Sequence, residues 1–238
     1  MKVGVDCALC LFKRGYAEIL EATRDKNLRL KALRALFKLL AEQYVPSAIP
    51  ADIGTMRERL IKEVTGNPDP YARKKKLSNK AALKAVPIAE KIISQSKGPE
   101  ERFRKACLCA IVGNIMEFDI PGHEPDFGEL EHLILNAEDD LVIDEISKAY
   151  NLIKKSRTVL YLTDNAGEIA FDTLLVREIR NLGSHVVVAV KGGNVYNDAT
   201  LVDAFEVGMD KVAHLSLIHI SEPTRPRLIS YAVFCLKK

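Results

Sequence analysis

Two short β-branched runs near the C-terminal end limit the fold more than anything else in the chain. TVLYL spans Thr158–Leu162, and HVVVAV spans His185–Val190. Between them Ile169 to Leu182 has the apolar spacing of an amphipathic helix, followed by Gly183. HVVVAV is apolar enough to be buried on both faces, as strands of a parallel sheet are. A second helix is expected over Ala199 to Val207, closed by Gly208, and Val212-Ala213-His214 opens a third strand. Strand, helix, strand, helix predicts βαβα units on a parallel sheet, an α/β, Rossmann-like three-layer α/β/α arrangement.

From Cys7 to about Leu152 the rhythm is helical instead. Leu9, Tyr16, Ile19 and Leu20 recur at three- and four-residue spacing, as do Leu33, Leu36, Phe37 and Leu40. Breaks are expected at Pro46–Pro50, Gly66–Pro70, Gly98-Pro99 and Pro121–Pro125. The predicted division is a helical N-terminal region over 1–155, an α/β domain over 156–214, and a tail over 215–238.

That tail, LSLIHISEPTRPRLISYAVFCLKK, reads as the conceptual translation of a transposase-type sequencing adapter. Pro226, Arg227 and Leu228 fall where a variable index would lie, and Lys237-Lys238 where an adenine run would start. The expectation is a natural chain cut off near His214, with adapter read-through appended and the α/β domain incomplete. Leaving out its four basic residues and one acidic residue from totals of 35 and 32 leaves 31 of each. The apparent charge of +3 vanishes, and with it any compositional argument for a nucleic-acid partner. No apolar run reaches membrane-spanning length, and Lys13 and Arg14 interrupt any secretory leader. Cysteines without a regular framework predict reduced thiols and a cytoplasmic protein.

Ligands of open parallel sheets collect at the carboxyl ends of the strands. Directly after TVLYL comes Thr163-Asp164-Asn165-Ala166-Gly167-Glu168. Directly after HVVVAV comes Lys191-Gly192-Gly193-Asn194-Val195-Tyr196-Asn197-Asp198. Adjacent strands would bring Asp164, Asn165 and Asp198 to one point. Two carboxylates and an amide, with no His or Cys in either loop, form a hard-oxygen set suited to Mg²⁺ or Mn²⁺. The same residues also suit helix caps: Asn165 with Glu168 as a capping box, and Asp198 at the next helix start. Lys191 reads equally as a phosphate-neutralising charge or a solvent-exposed strand-end lysine. Asp172, one turn after Glu168, either extends the acidic set or faces solvent. Cys7 and Cys10 form a lone CxxC: half a zinc site, a redox pair, or two small packed residues. Cys107 and Cys109, two apart, face different sides of their helix.

Taken in order, CALC, TGNPDPYARKK, GNIMEFD, TDNAGEIAFD and VKGGNVYNDATLVDA resemble the damage-control phosphatase family, which is also linked to acidic-residue methyltransferase activity. The CxxC start resembles its prokaryotic branch. The stretches run from residue 7 to about 208. The resemblance implies a metal-dependent phosphatase of small, including damaged, phosphorylated metabolites such as sugar phosphates. It implies Asp164, Asn165 and Asp198 as metal ligands, with Asp164 and Asp198 catalytic. Asn114, Glu168, Lys191 and Asn197 are then the substrate-binding residues, with Asp119 near the cleft. The ion would be Mn²⁺ or Mg²⁺, with Co²⁺ or Ni²⁺ as alternatives. Gly193-Asn194 stands where this branch often has a proline. The family's later KGQGN-type loop, whose lysine helps hold phosphate, has no counterpart, so this chain is expected to be inactive. Two other readings stay open: an S-adenosylmethionine-dependent carboxyl methyltransferase, and a non-catalytic metal- or metabolite-binding module. Against the former, DNAGE is acidic where a glycine-rich cofactor loop would be needed. No partner protein, oligomeric state or membrane association is indicated.

Overall fold

The computed structural model describes residues 2–115 and 127–218. These fall into two compact units. The first holds residues 2–73 together with Asn194–Asn197. Its helices are α1 (Val5–Ala22), α2 (Lys26–Gln43) and α3 (Pro50–Thr65). Asp25 separates the first two by capping α2: its carboxylate accepts from Asn27 N at 2.7 Å and Leu28 N at 3.0 Å. Pro50 opens α3, where its missing N–H costs nothing. Ile19, Ala22, Ala32, Leu36 and Ile61 form the small core that these helices share.

The second unit comprises the described residues from Lys74 to Gly193 and from Asp198 to Ile218. It contains all but the first two residues of α4 (Ala72–Ser94), then α5 (Pro99–Ile115), α6 (Phe127–Asn136), α7 (Ile146–Ile153) and α8 (Glu168–Asn181). A short α9 (Leu201–Glu206) follows, with a 3₁₀ turn at Met209–Lys211. Strands β1 (Thr158–Leu162), β2 (His185–Lys191) and β3 (His214–Ile218) make a parallel sheet in the order β1-β2-β3. Thr158 pairs with His185, and Val187 with His214. β2 is central, with Val186, Val188 and Val190 buried, as its apolar run predicted. At the edge, Leu160 and Leu162 of β1 are exposed.

The unit boundary at residues 73–74 lies far from the change of sequence rhythm near 155. Ala82, Ala85, Ala89 and Ile92 of α4 and Phe103 of α5 share one core with Val186 and Val188 of the sheet. A three-stranded sheet must cover its apolar faces with helices, and the helices before residue 155 supply that cover. β3 takes in Leu215–Ile218, the first residues of the stretch read as adapter. Among the described residues no helix is long and apolar enough to cross a membrane.

Candidate metal centre at two strand ends

β1 runs into Thr163–Gly167 and β2 into Lys191–Asp198. Gly167 closes the first loop at φ 86°, a left-handed value that any side chain would strain, and Glu168 then opens α8. The main chain stitches the two loops together. Asn165 and Asp198 form an antiparallel bridge, and Ala199 N donates to Asp164 O at 2.7 Å. Lys191 N donates to Ala199 O at 2.9 Å, and Thr163 N to Ala189 O at 3.2 Å. Asp164, Asn165 and Asp198 are thereby brought together. Asp164 is exposed, and the other two are half-buried.

The side chains give this point its electrostatics. Lys191 Nζ lies 3.3 Å from Asp198 Oδ2 and is mostly covered, so it is not a solvent-exposed strand-end lysine. Glu168 Oε2 accepts from Asn114 Nδ2 at 2.6 Å and from Asn165 N at 3.3 Å, with Asn165 Nδ2 at 3.4 Å. The amide nitrogen of Asn165 thus faces Glu168, so its oxygen is the atom that could meet an ion. Burial pushes the Glu168 carboxyl up and the nearby Asp164 charge adds to this, against the hydrogen bonds from Asn114 and Asn165. Asp172 does not face solvent: it is 1% exposed. Tyr161 donates to its Oδ1 at 2.5 Å, while Oδ2 is buried without a hydrogen-bond partner. Burial, then the Glu168 charge, raises the Asp172 carboxyl well above its ordinary range.

The capping alternatives resolve differently in the two loops. Glu168 does reach back to Asn165 N, but α8 begins at Glu168 itself, with Gly167 before it. Asp198 is not the N-cap of the next helix: α9 begins at Leu201 and its cap is Thr200. Asp203 Oδ2 accepts from Thr200 N at 2.9 Å and from Thr200 Oγ1 at 2.7 Å. The predicted start at Ala199 was two residues early, because a Thr200–Asp203 capping box sets the start instead.

Asn197 is half-buried and belongs, with Asn194–Tyr196, to the first unit. There Lys62 Nζ donates to Asn194 O, Tyr71 packs on Tyr196 with ring centroids 4.4 Å apart, and the Arg14 guanidinium lies 5.9 Å over the Tyr196 ring. Tyr196 holds φ at 45°, which is rare for such a side chain. Asn114 is exposed at the end of α5. Asp119 and His123 lie outside the described residues.

The donors at the two strand ends are all oxygens, with Lys191 against one carboxylate, and they fit a hard divalent ion. Among the described residues no three His, Cys, Asp or Glu side chains cluster as a metal site. Cys7 is half-buried and Cys10 exposed on α1, so the packed-residue reading fails for Cys10. Cys107 and Cys109 are both buried in the core of the second unit, and burial pushes the Cys109 thiol up to about 12.

Sequence reasoning missed Asn79 and Asp203. Asn79 on α4 is fully buried; its Oδ1 accepts from Gly167 N at 2.8 Å. Its Nδ2 donates to Asp203 Oδ1 at 2.9 Å and to Glu206 Oε2 at 2.8 Å, while Lys75 Nζ lies 3.6 Å from Asp203 Oδ2. The only signal available was polar residues, Lys75 and Asn79, one turn apart in a helix that otherwise reads as solvated.

The chain is similar to curated proteins and to a solved structure. A damage-control phosphatase from Archaeoglobus fulgidus is 35% identical over 216 residues, covering 90% of this chain and 73% of its own. A damage-control phosphatase from Pyrococcus horikoshii is 32% identical over 213 residues, covering 89% and 71%. The crystal structure of a DUF89 family protein from Pyrococcus horikoshii superposes with a TM-score of 0.79 at 32% identity, covering 91% of this chain and 74% of that one. The family model described as the damage-control phosphatase ARMT1-like domain matches residues 3–231, a span that contains both strand-end loops and the helices that cover the sheet. With that match over nearly the whole chain, the protein belongs to the ARMT1-like damage-control phosphatases.

Proposed function

We propose that this chain is built for divalent-metal-dependent hydrolysis of phosphomonoesters of small metabolites, sugar phosphates among them, in the cytoplasm. The observation that carries the reading is the pairing of the two strand-end loops, which sets Asp164, Asn165 and Asp198 side by side. The names of the curated relatives support the phosphatase class. Those three residues would hold the ion, Mn²⁺ or Mg²⁺, which when bound supplies positive charge to a phosphate oxygen.

The chain's own residues account for the rest. Lys191, beside Asp198, is a second fixed positive charge for a phosphate oxygen. Asp164, exposed at the strand end, is the group nearest the reacting phosphorus, as nucleophile or as the orienter of an attacking water. Glu168, whose Oε2 is held by Asn114 and Asn165, would meet the substrate through its other carboxyl oxygen. Asn114 would contact the substrate's hydroxyls.

The test is phosphate release from a panel of sugar phosphates and related esters, with Mn²⁺ and with excess chelator. It is run on the 238-residue chain and on a version extended with the C-terminal segment of the Archaeoglobus relative. Release that needs the added ion and disappears in Asp164→Ala supports the reading. Equal release in chelator, or methyl transfer to a carboxylate without phosphate release, overturns it.

A further inference from the structure

We propose that Asn79 is a positioning residue that fixes the spacing between the two loops carrying Asp164, Asn165 and Asp198. The inference rests on the reading of those three residues as the ion-holding set, and it concerns a side chain on a different element.

Asn79 is the point where the loops are tied through a side chain. Its Oδ1 takes the N–H of Gly167, two residues after Asn165, at 2.8 Å. Its Nδ2 gives one N–H to Asp203 at 2.9 Å and the other to Glu206 at 2.8 Å. Asp203 in turn holds Thr200, two residues after Asp198, through both the amide and the hydroxyl. A continuous chain of hydrogen bonds thus runs from Gly167 through Asn79 and Asp203 to Thr200. All of its members except Glu206 are buried or nearly so, where an unmade hydrogen bond is costly.

The polarity is specific. Only a neutral amide can accept from Gly167 on one side while donating to two carboxylates on the other. A carboxylate at this position would keep the Gly167 bond and set a third negative charge against Asp203 and Glu206. Lys75, 3.6 Å from Asp203, cannot neutralise three. Groups behind the coordinating residues commonly change metal affinity by about 10–100-fold when replaced. Asn79 is placed to do so without touching the ion, because it governs how far Asp164 and Asn165 stand from Asp198.

The readout is Mn²⁺ affinity by calorimetric titration of folded protein, checked by circular dichroism well below the melting temperature. Asn79→Asp should weaken Mn²⁺ binding about 10–100-fold. The double substitution N79D/D203N reverses the polarity of the pair: the new carboxylate accepts from the new amide, whose oxygen still accepts from Thr200. It should recover most of the affinity. Ile92→Ala, a core truncation on the same helix, should lower stability and leave Mn²⁺ affinity unchanged. If N79D does not fold, D203N alone is read instead; it keeps the Thr200 cap but turns an N–H toward the Asn79 amide, and should weaken binding in the same range. Unchanged affinity in the single variants, or an equal loss in Ile92→Ala, overturns the positioning role. A wild-type protein that binds no Mn²⁺, or binds it equally well after Asp164→Ala, shows instead that the ion-site reading failed and takes this inference with it.

Discussion

At Gly113 α5 comes close to Phe171 of α8, and substituting it tests how the site is braced. A Cβ on residue 113 would lie 2.9 Å from Phe171 Cδ2 and 3.0 Å from both Cβ and Cγ of Phe171. Ordinary carbon contacts begin at about 3.5 Å, so the substitution demands roughly 0.5 Å of movement. Phe171 is fully buried, and its Cβ is carried by the backbone of α8, so no rotamer change clears the contact. The helices themselves must part. Overpacking of this kind costs about 1–3 kcal/mol, against about 1 kcal/mol returned by alanine's better helix propensity. The expected net loss for Gly113→Ala is about 1 kcal/mol, or about 2–4 °C in melting temperature for a chain of this size. The Asn114–Glu168 hydrogen bond, 2.6 Å long, spans the same two helices and would lengthen and weaken as they part. Urea unfolding should show a lower midpoint with an unchanged slope. Adding Phe171→Leu should not rescue it, because the Cβ and Cγ contacts remain. A variant as stable as wild type would mean that the helices are not held at this distance, and the argument would fall.

Asp164→Ala and Asp198→Ala should each abolish Mn²⁺-dependent phosphate release in a C-terminally extended protein, with little change in circular dichroism, since both lie in loops. Asp172→Asn keeps an acceptor for Tyr161 and removes a buried acid whose pKa is raised in the fold. The stability contributed by protonated Asp172 is complete below the ordinary Asp pKa of about 3.9 and is lost as pH rises through the folded value. The variant's thermal midpoint should therefore fall less than that of wild type as pH rises above the ordinary Asp pKa. Glu18, 1% exposed beside Arg57 at 3.2 Å, is pushed up from 4.5 to about 7, chiefly by burial. Its contribution is complete below about 4.5 and lost as pH rises through about 7, so Glu18→Gln should flatten the stability curve across that window in urea titrations.

Local pattern carried the parallel strand pair and both chemical loops. TVLYL is a strand to the residue, HVVVAV gains only Lys191, and the helix between them starts and stops within a residue of its predicted ends. These features depend on side-chain periodicity and on which residue follows a strand, and both are written in consecutive positions. The loops that carry Asp164, Asn165 and Asp198, which the fold pairs, were legible for the same reason: each directly follows a strand. Long-range partnership was not legible. Asn79 lies 88 residues from Gly167 and 124 from Asp203, and nothing in ARKKKLSNK distinguishes a buried amide from a solvated one. Asp172 could equally have faced water; only the packing of α8 under β1 buried it beside Tyr161. The unit boundary inside α4 was hidden likewise, because a helix's sequence shows that it has an apolar face but not which surface covers it. The sequence by itself determined the elements and the chemical character of the loops between them. Tertiary structure decided which polar groups lost their water, and so which carboxyls are raised and which amide ties the loops, because desolvation depends on neighbours brought together from distant parts of the chain.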